Sequence, residues 1–103
     1  MTPQLIESEE SPAADERGPS RDEVFTALSN ARRRNVIKYL KKNGSDARVR
    51  DIAEQLAAWE NGVEIPAVTY KQRKRVYTAL HQSHLPKLAA SGFIDYESDR
   101  GLV

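Results

Sequence analysis

Residues 69–88, TYKQRKRVYTALHQSHLPKL, contain the side chains best suited to binding chemistry in this 103-residue sequence. They include five Lys or Arg, two His and two Tyr. Cationic side chains neutralise the phosphates of nucleic acids, and Arg, Gln and Thr also bond to base edges in the DNA grooves. The stretch therefore predicts a nucleic-acid contact. The alternative is an ordinary solvated helix, since Lys and Arg are good helix formers and exposed faces are usually charged.

A helical projection at about 100° per residue gives this stretch two distinct faces. The apolar face consists of Val76, Tyr77, Leu80, His84 and Leu88. The opposite face consists of Lys71, Arg75, Thr78 and Gln82, flanked by Lys74 and His81. The spacing predicts a helix over about residues 70–90, capped by Thr69. Pro86 lacks an N–H and is expected to bend this helix or to begin a second short one.

Further cations extend the predicted contact surface. Arg73 projects closer to the apolar face, so we expect it to contact a phosphate or an acidic side chain. Arg32, Arg33 and Arg34 occupy the first turn of another predicted helix, where positive charge opposes the helix dipole. That cost indicates partners. Arg32 and Arg34 are predicted phosphate contacts, and the alternative is pairing with the nearest acidic candidates, which are Asp22, Glu23 and Glu54.

Metal binding and catalysis are not predicted. His81 and His84 have a spacing that can support two metal ligands, but the sequence has no cysteine and no third histidine. It also has no Ser-His-Asp set and no glycine-rich phosphate loop. We therefore expect neither a metal site nor a cofactor, and we expect that the protein is not an enzyme.

The rest of the sequence predicts the elements that position the basic helix. Ser20 caps a first helix from about Arg21 to Ser29, and Asn30 caps a second that ends at Gly44. A third helix, RDIAEQLAAWENG, ends at residues 61–62. Residues 93–97, FIDYE, alternate as a strand does, and Leu102 with Val103 begins a short returning strand. Arg100, at the turn of this hairpin, is a predicted contact to the DNA backbone.

The charge is distributed unevenly between the two ends of the sequence. Residues 1–20 hold five carboxylates and one arginine, a net charge of −4, whereas the whole chain has a net charge of +1. With three prolines and few large apolar residues, the first twenty residues are predicted to be a disordered acidic tail. This tail is either a competitor for the basic surface of the same chain or a solubilising extension. The absence of a long apolar run or a signal-type stretch predicts a cytoplasmic protein without a membrane segment.

The predicted element order is mainly α with a small β-hairpin, as in a winged helix-turn-helix domain over residues 21–103 with an apparently truncated wing. The sequence resembles the small winged-helix domains of uncharacterised haloarchaeal proteins and, at longer range, ArsR-type regulators. The resemblance covers about residues 24–96. Its most specific motifs are LSNARRR, IAEQLAAWEN, QRKRVYTALHQSHLPKL and SGFIDY.

This resemblance implies a transcriptional regulator that binds double-stranded DNA with the helix at about residues 70–90 in the major groove. It also implies a homodimer, since one short helix reads few base pairs. Two features depart from the family: residues 60–69 form a longer connection than usual, and the metal-binding cysteines of ArsR proteins are absent. The alternative function is a protein-interaction or assembly module that docks on an acidic partner.

Overall fold

The computed structural model describes residues 20–44 and 46–103. The predicted acidic tail therefore lies outside the described residues, apart from Ser20. Regular secondary structure in the described ranges is helical. The elements are α1 (Arg21–Leu28), α2 (Ala31–Asn43), α3 (Val49–Asn61), a 3₁₀ turn (Ile65–Ala67), α4 (Tyr70–Ala79), a π turn (Leu80–His84) and α5 (Leu85–Ala90).

The helices begin and end where the predicted capping residues lie. Ser20 and Glu23 form a capping box at α1, and Thr69 and Gln72 form another at α4. The side chain of Asn30 accepts hydrogen bonds from the first amides of α2. Gly62 ends α3 in the left-handed conformation, at φ 64°, which a residue without a Cβ adopts readily. The local signals for the helix ends are thus confirmed.

The predicted helix over residues 70–90 is present, but a π turn interrupts its α-helical geometry. The N–H of Leu85 donates to the carbonyl of Leu80, one residue further back than in an α-helix. Pro86 follows at once, in the first positions of α5. A proline ring collides with the carbonyl four residues earlier in a regular α-helix, and the wider turn relieves that conflict. The predicted disturbance at Pro86 therefore takes the form of a π turn.

One apolar core joins all of these helices, and α3 supplies its centre. Arg48 is the N-cap of α3. Val49, the first residue of this helix, is buried. The fully or almost fully buried members of the core are Ala27, Val36, Val49, Ile52, Ala53, Leu56, Ala57, Val76, Leu80, Leu85 and Leu88. Because α3 packs on both α2 and α4, the core fixes the position of the basic helix.

The prediction of a β-hairpin, and with it of a winged helix-turn-helix fold, is wrong. Residues 93–103, here called the C-terminal segment, form no strand in the described structure. They make only isolated antiparallel bridges, between Glu97 and Leu102 and between Arg48 and Leu102. Phe93, Ile94 and Tyr96 pack against the core instead of forming a strand, and Leu102 alone makes both bridges. The mainly α part of the prediction agrees with the structure.

The C-terminal segment is nevertheless attached to the helices. Val103 donates to the carbonyl of Ala47 at 2.9 Å, and the amide of Val49 donates to the carbonyl of Gly101 at 2.9 Å. Phe93, Ile94 and Tyr96 are half-buried against the core. Burial of these side chains and these backbone hydrogen bonds together hold the segment in place. As for membranes, none of the helices in residues 20–44 and 46–103 is both long and apolar enough to cross one.

Candidate nucleic-acid interface

The basic helix α4 lies on α3 with its N-terminal turns projecting from the core. Val76 is the buried residue of α4, and Leu80 follows in the π turn. The connection from α3, residues 62–69, is exposed except for Val68, which packs against the core. The arrangement leaves the opposite side of α4 free for contacts with another molecule.

Three cations occupy this free side within five residues. Lys71, Lys74 and Arg75 are exposed, and we call them the basic face of α4. Among the described residues, none of the three forms a salt bridge or a side-chain hydrogen bond. The sequence has no Asp or Glu between residues 65 and 94, so no carboxylate on α4 or α5 neutralises this face. The result is a local positive field on a solvated helix.

Tyr70 is a member of this surface that the sequence interpretation did not identify. Its side chain is 64% exposed. The guanidinium of Arg73 lies 5.5 Å from the centre of the ring, and the Lys74 ammonium lies 5.7 Å from it. In a helical projection Tyr70 shares the face of Tyr77, seven residues later, so periodicity did not indicate an exposed ring. Tyr70 adds an aromatic surface at the N-terminal end of the basic face.

Arg73 lies on the inner side of the helix, as its projection indicated. Its Nη1 is 3.5 Å from Oε2 of Glu54 on α3, and both side chains are partly buried. Of the two roles expected for Arg73, the structure shows the ion pair with an acidic side chain. This pair connects the second turn of α4 to α3 and helps to orient the basic face.

The structure changes the relation of Thr78 and Gln82 to the basic face. Thr78 lies one helical turn beyond Lys74 and Arg75 and is half-buried. Gln82 is exposed but lies inside the π turn, which contains more residues per turn than an α-helix. A projection at a constant 100° per residue therefore ceases to apply from Leu80 onward. Thr78, within α4, continues the basic face, whereas Gln82 belongs to the π turn.

Tyr77, assigned by projection to the apolar face, is only partly covered. It is 37% exposed, and its ring meets the ring of His81 edge-on at 4.7 Å. His81 is in turn hydrogen-bonded to the hydroxyl of Tyr96 on the C-terminal segment. Burial, with a smaller contribution from Tyr77, raises the pKa of Tyr96. This cluster joins the basic helix to the C-terminal segment.

Arg32 and Arg34 make internal contacts. The guanidinium of Arg32 donates to both carboxylate oxygens of Glu60, at 2.7 and 2.9 Å. The hydrogen bond from Glu60 is the largest influence on Arg32 and raises its pKa. Nη1 of Arg34 lies 2.6 Å from the carbonyl oxygen of Leu28, at the end of α1. Because Glu60 binds the Arg32 guanidinium through both oxygens and Arg34 is bonded through one nitrogen to the end of α1, we leave Arg32 and Arg34 out of the candidate interface.

Arg33 is the buried member of the arginine run, with 7% of its surface exposed. It donates to the carbonyl oxygens of Ala27 at 2.7 Å and Thr26 at 3.1 Å, the negative end of the α1 dipole. Its Nη1 also lies 3.3 Å from Nδ1 of His84. Burial and then the charge of Arg33 lower the pKa of His84, so the neutral imidazole accepts this hydrogen bond.

Arg100 lies in the turn of the C-terminal segment and is exposed. It forms a surface ion pair with Glu97 at 3.0 Å. Such exposed pairs are weak and exchange readily. The expected contact of Arg100 with a DNA backbone depended on a hairpin beside the helix, and that hairpin is absent from the described segment.

The two histidines of the basic helix serve different contacts, since His84 bonds to Arg33 and His81 to Tyr96. Within residues 20–44 and 46–103, no group of three or more His, Asp or Glu side chains is placed to hold a metal ion.

One family model matches this chain. It covers residues 25–103, and its description is "Domain of unknown function (DUF7344)". The matched range contains the core, the basic face and the C-terminal segment. Comparison with curated proteins and with solved structures finds no match.

Proposed function

We propose that this chain, which belongs to the family described as a domain of unknown function (DUF7344), binds double-stranded DNA through the basic face of α4. The observation that carries the proposal is the segregation of cations around α3. Those on the inner side are paired, as Arg73 is with Glu54, whereas Lys71, Lys74 and Arg75 are exposed without an ionic partner in the described structure. Unpaired cations on one helical face suit the phosphates of a polyanion.

The dimensions of a single helix support double-stranded DNA as the ligand. An α-helix with its side chains is about 10–12 Å wide, and the major groove of B-DNA is about 12 Å wide. With α4 in that groove, the cations of the basic face would contact phosphates or guanine, and Thr78 would contact a base edge or a thymine methyl. Tyr70 would add apolar contact at the N-terminal end of the helix.

Sequence specificity and regulation of transcription belong to the same proposal. One ten-residue helix reads few base pairs, so a homodimer on two half-sites would supply the specificity that a regulator needs. The resemblance of its sequence motifs to small domains of haloarchaeal proteins and, at longer range, to ArsR-type regulators supports this role. Selection of bound sequences from a random DNA pool tests it: enrichment of a two-fold symmetric site is expected, and an unenriched pool contradicts sequence specificity.

The DNA-binding proposal is tested by fluorescence anisotropy with a labelled duplex at about 50 mM salt, where phosphate contacts are strong. The double variant Lys71→Ala/Arg75→Ala is expected to bind about tenfold more weakly or worse. The matched control is Lys41→Ala/Lys42→Ala, which removes the same charge from exposed positions at the end of α2. Equal losses in both variants, or no binding by the wild-type protein, contradict the proposal.

The exposed connection between α3 and α4 favours a second candidate function, a protein-interaction module. Val63 is 38% exposed and Ile65 is 42% exposed. Apolar side chains beside a basic face suit a protein partner with an acidic rim. If the wild-type protein fails to bind DNA at low salt, this function replaces the first. Capture of an acidic protein partner is then compared between the wild-type protein and Ile65→Ser. Loss of capture by the variant is expected, and unchanged capture contradicts this function.

A further inference from the structure

The acidic residues that precede α1 fall into two groups at different distances from α1 along the chain. Glu7, Glu9 and Glu10 lie far from the first helix along the chain, whereas Asp15 and Glu16 lie close to it. With Arg17 as the one cation, residues 1–19 have a net charge of −4. This segment is complementary in charge to the basic face of α4, which has no carboxylate of its own to neutralise it.

We propose that the Glu7–Glu10 carboxylates bind the basic face of α4 in the same chain and compete there with DNA. The competition rests on the proposed function. The intramolecular contact is a separate claim, because it can be observed without any DNA. In this arrangement α4 is an acceptor for acidic peptides, and residues 7–10 of this chain are its resident ligand.

The start of α1 lies beside α5, at the opposite end of residues 70–90 from the basic face. Asp22 and Glu23 in the first turn of α1 line a shallow surface depression together with Lys87, Ala90 and Ser91. From Ala90 back to Lys74 is about 24 Å, at about 1.5 Å of rise per helical residue. The acidic segment must therefore cover about this distance from Ser20 to reach the basic face.

Chain length then separates the two acidic groups. The ten residues from Glu10 to Ser20 span up to about 33 Å when extended, which is enough to reach the basic face. The five residues from Asp15 to Ser20 span up to about 17 Å, which leaves the backbone at Asp15 about 7 Å short of Lys74 even when fully extended. Glu7, Glu9 and Glu10 can therefore contact Lys74 and Arg75 without full extension of the chain. Asp15 and Glu16 are within easy reach only of Lys87.

The cations of α2 are weaker competitors for the acidic segment. Arg32 is paired with Glu60, and Arg34 donates to a backbone carbonyl. The Lys38 ammonium lies 4.5 Å from the centre of the Trp59 ring. Only Lys41 and Lys42 remain without such contacts in the described part of α2. The denser set of free cations is on α4.

Tethering makes a contact of this kind effective although each exposed ion pair is weak. A short linker gives the attached ligand an effective concentration in the millimolar range. Two or three exposed ion pairs at that concentration occupy the face for a fraction of the time, so we expect DNA affinity to be lowered by about threefold to tenfold.

The contact is tested by NMR on the full chain at low salt, using the backbone amides of Lys71, Lys74 and Arg75 as probes. Glu9→Gln/Glu10→Gln is expected to shift these amides. Asp15→Asn/Glu16→Gln, a control with the same change of charge in the same segment, is expected to leave them unchanged. At about 1 M salt the wild-type and variant spectra should coincide at these positions, because ionic contacts are screened. Equal shifts in both variants, or none in either, overturn the proposal.

Two further readouts separate the possible explanations. The amide positions in the wild-type chain should not change on dilution, and a dependence on concentration overturns the intramolecular contact in favour of binding between copies. In DNA titrations, Glu9→Gln/Glu10→Gln is expected to bind about threefold to tenfold more tightly than the control variant. Equal affinities overturn the competition. If neither variant binds DNA while the amide shifts persist, the proposed function fails and the acidic-peptide contact stands.

Discussion

At the scale of single residues, Arg33 has the most consequential position. Its guanidinium satisfies two carbonyl groups at the end of α1 and approaches His84 in the π turn, so it connects elements that are distant in sequence. The sequence places Arg33 in the first turn of α2 but does not identify these partners. The partner of Arg32, Glu60, is 28 residues away, beyond the reach of any local spacing rule.

Replacement of Arg33 should destabilise the fold. Arg33→Met keeps most of the apolar stem but removes the donor to the buried carbonyl of Ala27, which costs about 1–3 kcal/mol, whereas the carbonyl of Thr26 still accepts from Ser29. We expect thermal unfolding followed by circular dichroism to show a Tm lower by roughly 5–15 °C. Arg34→Met, at an exposed neighbouring position, should lower Tm much less. Similar losses in the two variants would mean that Arg33 is not the structural connection described here.

His84 should make stability depend on pH. Its pKa is lowered in the folded protein by burial and by Arg33, so the unfolded chain binds more protons than the folded one near pH 6. The stabilising contribution is complete above the ordinary histidine pKa of about 6.5 and is lost as the pH falls below it. The free energy of unfolding, measured with urea, should differ less between pH 7.5 and 5.5 in His84→Asn than in the wild type. The Asn side chain retains an acceptor for Arg33. An unchanged difference would assign the pH dependence to other groups.

At the scale of elements, caps and periodicity predicted the helices because both are local properties of the chain. Ser20, Asn30 and Thr69 each satisfy free amides in their own first turn, so their positions can be read from nearby residues. The π turn at 80–84 and the absence of a hairpin at 93–103 have a different origin. They depend on Pro86 within a packed helix and on the burial of Phe93 and Ile94, which are tertiary effects.

The C-terminal segment should be loosened by removal of one hydroxyl. Tyr96→Phe deletes the hydrogen bond to His81 while the ring stays in place, at a cost of about 0.5–1.5 kcal/mol. Amide hydrogen exchange should become faster at Glu97 and Val103, which bond within this segment and to Ala47. Tyr39→Phe is the control, since its hydroxyl forms no hydrogen bond with the described residues. Unchanged exchange at Glu97 and Val103 would show that burial alone holds the segment.

At the scale of the whole molecule, the distribution of charge is the property that relates the fold to the proposed function. The division between an acidic beginning and a basic remainder is visible in the sequence. Which cations are free was only partly visible: Arg32 and Arg34 look equivalent to Lys71 and Arg75 until their partners are known, and Arg73 differs only in its projection toward the apolar face. The structure assigns the first three to internal contacts and leaves the basic face of α4, together with Tyr70, open to a ligand.

The salt dependence of DNA affinity tests this account most directly. Three phosphate contacts from the basic face predict that affinity falls about 40-fold between 50 and 200 mM salt, from a logarithmic slope of about −0.9 per contact. Lys71→Ala/Arg75→Ala, with one contact left, should lose only about threefold to fourfold over the same range. Lys41→Ala/Lys42→Ala should keep the wild-type slope. A slope that is the same in all three proteins would contradict the claim that the basic face of α4 binds DNA.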